Sequence, residues 1–266
     1  MFYLNLALQP VREGLTERRW TDAQLRDLQE SLSVIQLTPH LDLAVHSERC
    51  MTRWCLDELL KNPSELLYLG TLSGDSHDGG YNNWAVRLIL TSIVYFNCLN
   101  VDLFYQRYMV GCVDGRAGLI YPVHADELDV ACDDLANRRS LYHRLEVILI
   151  PAVSYILVKT GVAQTMVDCA TLACAVERYR LANGKLPEKL DALVPQFIAQ
   201  VPHDVIDGQP LRYRLDGTDG FVIYSIGWNQ KDDGGQQVLT KEAKPQPDFK
   251  QGDWAWPSKP GIPRSP

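Results

Sequence analysis

The sequence predicts an α+β protein in which a mostly helical N-terminal region precedes a long helix packed on a small antiparallel β-sheet. Apolar residues recur at helical spacing up to residue 183, and the pattern changes to strand-like alternation after residue 210. Turn-forming residues separate the two alternating segments. We therefore divide the chain into a helical region (1–140), a helix-plus-hairpin module (141–240) and a proline-rich tail (241–266).

Helices are predicted throughout the N-terminal region. Thr21 and Gln24 form a capping-box pattern ahead of an apolar repeat, so a helix is expected to begin near residue 20. Further helices are predicted at 42–60, 84–109 and 125–139. Polar residues within 84–109 favour a core helix over a membrane span. We interpret His46, on the apolar stripe of the second helix, as a core histidine.

The long helix of the module is the strongest local signal. Its stripe alternates spacings of four and three residues: Val158, Val162, Thr165, Cys169, Leu172, Val176 and Tyr179. The pair Asn183-Gly184 predicts its end, because glycine tolerates the left-handed conformation common at helix ends. A short helix is expected at 187–194. A helix starting near residue 141 meets Pro151, and the sequence leaves open whether one bent helix or two results.

A β-hairpin is predicted after the long helix. Alternating residues at 211–215 and a β-branched, aromatic run at 221–226 flank a turn at 216–220. Two strands alone are marginal in water, so the hairpin is expected to pack on the long helix. A shorter strand is predicted at 119–121. Proline is expected to rule out regular structure over most of 241–266, with Trp254 and Trp256 anchoring the tail on the module.

Composition excludes several classes of protein. The net charge of -7 lacks the basic excess of a nucleic-acid surface. The seven cysteines include no CxxC pair, so neither a disulfide framework nor a zinc knuckle is indicated. The longest apolar runs, 88–95 and 147–158, fall short of the roughly 20 residues that a membrane span needs. We predict no membrane span, and the start of the chain shows no basic leader.

Residues 163–235 resemble the globular part of the major pseudopilin of type II secretion systems. The resemblance rests on the helix end Glu177-Arg178-Tyr179-Arg180-Leu181-Ala182-Asn183-Gly184 with Leu186-Pro187, on the segment 190–194, on Pro202-His203-Asp204, on Gly208-Gln209-Pro210-Leu211-Arg212-Tyr213, and on Tyr224-Ser225-Ile226-Gly227 before an Asp-Gly-Gly loop. It is also similar to modules that follow a helical region in other bacterial proteins. The Gly-Phe-Thr-Leu-Ile-Glu start by which pseudopilins assemble is not matched, so we do not expect a filament subunit.

The resemblance implies a calcium site in the loop after the hairpin. Its ligands would be the carbonyl of Ile226, the side chain of Asn229, Asp232 or Asp233, and Asp253 from the returning tail. Calcium takes six to eight such oxygens. Asn229 stands where the family more often has Asp, and Lys231 lies in the same loop, so a plain solvated turn is the alternative.

A second possible metal site lies in polar loops. Asp75, His77 and Asp78 share one loop, and His124 and Asp126 lie in another, a set that could hold a divalent metal and activate water. Polar loops also collect such residues without function.

Two further sets of residues are candidates for a metal site or a nucleophile. His143 and Glu146 are one helical turn apart, a spacing open to a metal but also to an ion pair. Ser73, Ser76 and Ser154 lack the Gly-x-Ser-x-Gly setting of a nucleophile. Neither set indicates a catalytic centre.

The leading hypothesis is a non-catalytic structural or interaction protein of the cell envelope, whose helical region contacts a protein partner. Its basis is the module together with the lack of a catalytic constellation. The alternative is a metal-dependent hydrolase using Asp75, His77 and His124. A third hypothesis is a folded domain of a longer envelope protein. If the chain is not part of such a protein, a cytoplasmic location is expected.

Overall fold

The computed structural model of this chain describes residues 2–62, 84–137, 144–150, 154–217, 219–241 and 246–257. The helices are α1 (Phe2–Thr16), α2 (Asp22–Ser33), α3 (Thr38–Lys61), α4 (Trp84–Phe104), α5 (Pro122–Asn137), α6 (Arg144–Leu149) and α7 (Ser154–Asn183). The strands are β1 (Val113–Asp114), β2 (Leu119–Ile120), β3 (Arg212–Asp216), β4 (Gly220–Ser225), β5 (Gln237–Leu239), β6 (Pro247–Gly252) and β7 (Trp254–Pro257). Each strand pair in the described part of the chain is antiparallel, so the class is α+β, as predicted.

The chain divides into two compact units. Unit 1 contains Met1–Leu41, Val113–Pro122 and Tyr155–Pro266, and unit 2 contains Asp42–Cys112 and Val123–Ser154. The units are interleaved along the chain, because the β1-β2 hairpin in the middle of the sequence belongs to unit 1.

The core of unit 1 forms between α7 and a three-stranded sheet ordered β3-β4-β7. Leu172 and Val176 on α7 are fully buried and share one apolar cluster with Phe221 and Ile223 on β4. Tyr179, near the end of α7, packs edge-on against a phenylalanine ring. Burial of this apolar area stabilises strands that would be marginal alone. The predicted packing of the hairpin on the long helix is confirmed.

Local signals explain the boundaries of these elements. The side chain of Thr21 accepts a hydrogen bond from the N–H of Gln24, and the Gln24 side chain accepts one from Thr21, which completes the predicted capping box. α7 ends at Asn183 because Gly184 has a φ of 72°. The predicted helix at 187–194 is a 3₁₀ turn at Leu190–Leu193. α1 was not predicted.

The prediction of an irregular tail is wrong for β6 and β7. β7 pairs with β4, and Trp254 and Trp256 on it are buried, which confirms their anchoring role. Gly161 makes room for this packing, because a Cβ there would lie 3.0 Å from the ring of Trp254. The prolines are tolerated because they open β6 and close β7, where a missing N–H disturbs the ladder least. Residues 258–266 lie outside the described part.

Unit 2 is built from the remaining helices. Asn97, fully buried on α4, accepts the backbone N–H of Glu146 on α6, and Asn100 donates to the Glu146 carboxylate at 2.7 Å. Asn97 and Asn100 therefore face protein. α4 continues into a π-helical turn at Tyr105–Met109. The question of a bend at Pro151 lies outside the described residues, as does His143.

Candidate functional site

The loop after β4 folds back onto the start of β7 in unit 1. The Asp253 carboxylate accepts the backbone N–H of Gly235 at 2.6 Å and that of Asp233 at 3.3 Å. Asn229 donates its side-chain amide to Asp233 at 3.1 Å, and Asp232 lies close enough to interact with Asp253. The structure therefore brings Asn229, Asp232, Asp233 and Asp253 to one loop.

Burial, together with the like charges of Asp233 and Asp232, raises the pKa of Asp253 to about 6, although the Gly235 and Asp233 N–H groups oppose the shift. The side chain of Asp253 is only 2% exposed, which explains why desolvation dominates. A bound cation would therefore reduce the repulsion between the acidic groups of this loop.

The loop fits calcium only in part, because several of its carboxylate oxygens already accept hydrogen bonds from backbone N–H groups. Asp232 accepts the N–H of Gly234 at 2.9 Å, and Asp253 is occupied by two N–H groups. Ile226 is buried, and its N–H donates to Asp204. Within the described ranges no three His, Cys, Asp or Glu side chains group as a metal site. The loop is held by its own hydrogen bonds, and calcium binding stays a prediction from the resemblance.

The chain matches no protein-family model, no curated protein and no solved structure. The sites are therefore interpreted from their own residues.

The residues of the alternative hydrolase site are only partly described. Asp75, His77 and Asp78 lie outside the described residues, as do Ser73 and Ser76. His124 is exposed near the start of α5, where its Nδ1 lies 2.7 Å from the carbonyl oxygen of Gly111. Asp126 is exposed on the same helix, and Ser154 is buried at the start of α7. The hydrolase stays a prediction.

The interpretation of His46 as a core residue is wrong. Its side chain is 48% exposed, and its Nε2 lies 3.6 Å from the carboxylate of Asp42. The buried side of α3 instead carries Leu41, Val45, Thr52 and Leu56. His46 lies about 110° around the helix from the centre of this buried side, and the apolar stripe that suggested a core position belongs to the exposed side.

A buried carboxylate that sequence reasoning missed connects the loop before β3 to the end of β4. Asp204 is fully buried and accepts from the Ser225 hydroxyl at 2.7 Å and from the N–H groups of Ile206 and Ile226 at 3.0 and 3.1 Å. Arg212 donates to it at 2.6 Å. Burial raises the pKa of Asp204, and these four donors, one of them charged, oppose that shift. The residue fixes the point where the acidic loop begins.

A polar cleft of about 610 Å³ contains a second perturbed acid in unit 1. Burial raises the pKa of Asp168 to about 7, although the side-chain amide of Gln164 donates to it at 3.1 Å and opposes the shift. Gln164 in turn accepts the N–H of Leu37 at 2.7 Å. His203 lines the same cleft, with its Nε2 2.8 Å from the carbonyl oxygen of Ala117. The cleft therefore contains a carboxyl group that titrates near neutral pH.

One face of α4 exposes large apolar side chains in unit 2. We call this face the apolar arc; it consists of Trp84, Leu88, Ile89, Tyr95, Phe96, Leu99 and Leu103. At 100° per residue these side chains span about 140° of the helix surface. Tyr95 is 61% and Leu99 is 59% exposed. Val147 and Ile148 on α6, which packs against α4 through Glu146, are also exposed.

Charged residues border the arc at one end. Asp102 near the end of α4 accepts from Arg53 on α3 at 2.9 Å and lies 3.6 Å from Arg49. Arg53 also pairs with Asp57 at 3.1 Å, beside the exposed ring of Trp54. An apolar centre with a charged, aromatic rim is the composition of a protein interface.

Two segments have the length and composition of a membrane span. They are Arg87–Cys112, with 39% of its tested window buried, and Leu145–Asn183, with 53% buried. Buried core helices of soluble proteins meet the same criterion, so composition alone does not distinguish the two cases.

Proposed function

We propose that this chain is a non-catalytic assembly protein that associates with a second copy of itself through the apolar arc of α4. The observation that carries the proposal is the arc, which extends about 29 Å from Trp84 to Leu103 at 1.5 Å per residue. With a helix width of about 10 Å, the arc covers about 300 Å², and the exposed side chains of α6 add to it; a patch of this size on a protein surface is often functional.

Charge favours a second copy as the occupant of the arc. No charged residue lies between Arg87 and Asp102, so two arcs meet without like-charge repulsion. An antiparallel pair of α4 helices centred between residues 94 and 95 aligns the two arcs along their whole length, and the helix dipoles also oppose. The contact is then a two-fold interface, the commonest kind in soluble oligomers.

The rim argues against a lipid surface as the occupant. The ion pairs of Arg53 with Asp57 and Asp102 adjoin the arc, and hydrocarbon would desolvate them without supplying hydrogen bonds. A protein surface leaves such a rim in contact with water.

Sedimentation velocity of the purified chain tests the proposal. We expect the wild type to form a dimer as its concentration is raised to about 100 µM. Leu99→Glu should stay a monomer over the same range, because dimerisation would bury its charge at the contact. The matched control is Val34→Glu, which changes a 77% exposed apolar residue in unit 1 and should leave the dimer intact. A monomeric wild type, or a monomer that instead co-sediments with phosphatidylcholine vesicles, would contradict the proposal.

We also infer from the resemblance that residues 163–235 form a pseudopilin-like module at the cell envelope. The support is the order of its parts: a long helix, a 3₁₀ turn, a hairpin, and an acidic loop that Asp253 joins from β7. The family's calcium site would then use the Ile226 carbonyl with Asn229, Asp232, Asp233 and Asp253. In that case calcium raises the melting temperature, because it binds only the native loop.

The calcium experiment compares melting with and without the ion. Wild type should melt at a higher temperature with calcium in excess, and magnesium should have a smaller effect because it prefers six rigid ligands. Asp253→Asn should lose most of the shift. Identical melting curves with and without calcium, together with no heat of binding in a calcium titration, would count against the site.

A further inference from the structure

A second cleft, of about 700 Å³, lies in unit 1 between α1, α7 and the strands β5 to β7. Its walls are mainly apolar: Val162 and Met166 come from α7, and Phe249 and Trp256 come from the strands. α1 contributes Arg12 to the same cleft. The cleft has the size of a small-molecule site, for which about 300 to 1,000 Å³ is typical.

Arg12 is the charged group at the apolar wall. Its guanidinium carbon lies 5.5 Å from the ring centroid of Trp256, and burial lowers its pKa. Arg12 forms no ion pair with a described residue. Two acidic residues also line the cleft: Glu13 accepts from Gln9 at 3.0 Å, and Glu17 pairs with Arg19 at 2.6 Å.

A partly buried guanidinium that pairs with no carboxylate in the described part of the chain carries a desolvation cost, which an anionic ligand would offset. Guanidinium binds carboxylates through two parallel hydrogen bonds, and the neighbouring aromatic and aliphatic walls suit an apolar body. The amide of Gln237 at the cleft already donates to the carbonyl of Ala255 at 3.1 Å. This amide is therefore not free to pair with a peptide backbone, so a ligand that lacks backbone amides suits the cleft better than a peptide does.

We propose that this cleft binds an amphipathic monocarboxylate of the fatty-acid class. Its carboxylate pairs with Arg12, and its chain lies along Trp256, Phe249 and Met166. The proposal is independent of the self-association through α4, because it concerns unit 1 alone.

Isothermal titration of the full chain with three probes tests this inference. The probes are decanoate, decanol and decyltrimethylammonium, which share one alkyl chain and differ in head-group charge. We expect decanoate to bind at least about tenfold more tightly than the other two, the factor that one charge-assisted contact supplies. Equal binding of all three, or no saturable binding of decanoate, would overturn the proposal.

Variants locate the binding site. Arg12→Gln should weaken decanoate binding by about tenfold or more, and Arg12→Lys should retain part of it because the charge remains. The matched control is Arg107→Gln, which removes an arginine stacked on Tyr108 at 5.4 Å in unit 2 and should change nothing. Unchanged decanoate affinity in Arg12→Gln would contradict the proposal. If that variant does not fold, the three-probe comparison on wild type still decides.

Discussion

Oδ2 of Asp204 lies 2.6 Å from Nη1 of Arg212, inside the module and out of contact with water on the carboxylate side. Because the same carboxylate accepts the Ser225 hydroxyl and the Ile226 N–H, it joins the start of β3 to the end of β4. The acidic loop begins directly after this junction. The geometry of the candidate calcium loop therefore depends on one buried ion pair.

Asp204→Asn should destabilise the fold by about 3 kcal/mol, because it removes the buried one of the two carboxylates that pair with Arg212. The control is Asp207→Asn, the exposed second carboxylate on Arg212, for which about 1 kcal/mol or less is expected. Urea unfolding of both variants measures the difference. Equal losses of unfolding free energy in the two variants would contradict the larger contribution expected of the buried Asp204.

Trp254→Ala should cost about 3 to 5 kcal/mol of unfolding free energy, because its ring is buried against α7 and leaves a cavity. Trp54→Ala, at a site that is 56% exposed on α3, is the matched control and should change stability by about 0.5 kcal/mol or less. Thermal and urea unfolding provide both values. Similar, small stability losses in the two variants would contradict the prediction that the tail stabilises unit 1.

Asp168 should make stability depend on pH. Its pKa of about 7 in the fold is above its ordinary value of 3.8, so its stabilising contribution is complete below about pH 4 and is lost as pH rises through 7. Asp168→Asn should therefore match wild type at pH 4 and be more stable at pH 8, by on the order of 4 kcal/mol. Asp27→Asn on the exposed face of α2 serves as control. A constant difference between Asp168→Asn and wild type across this range would contradict the assignment.

Calcium affinity, on the proposed site, should fall as pH drops below about 6, because protons then compete for the Asp253 carboxylate. The expected loss approaches tenfold per pH unit for one proton. Asp248→Asn on β6 leaves the loop unchanged and should show the same profile as wild type. Calorimetric titrations at pH 5 and pH 7 measure the effect, and equal affinities at the two values would exclude Asp253 as a ligand.

The fold of the module was predictable because its signals are local. The spacing of the stripe on α7, Gly184 at its end and the turn between β3 and β4 each specify one element without reference to distant residues. α3 shows the limit of such patterns. Its apolar residues lie on two faces, and the sequence does not indicate that Leu41 and Val45 face inward while Leu43 and Trp54 face solvent. That choice depends on tertiary packing.

The sites were less predictable than the fold. Asn229, Asp232, Asp233 and Asp253 were named through a resemblance, and the structure places them in one loop. The contact of Arg12 with Trp256 joins opposite ends of the chain, so no spacing rule identifies it.

α4 is apolar on nearly all sides, a composition that is consistent with a core helix and equally with a docking helix. Only the structure shows which of its faces is covered.

The central claim is that two copies pair through antiparallel α4 helices, and cross-linking at Tyr95 tests it most directly. With the pair centred between residues 94 and 95, Tyr95 lies almost opposite its own copy, whereas the two Leu88 positions are about 20 Å apart along the axis. A short bismaleimide should therefore cross-link Tyr95→Cys into a dimer. Leu88→Cys should give no more cross-linked dimer than the wild-type chain does. Equal cross-linking at both positions, or none at either, would contradict the account.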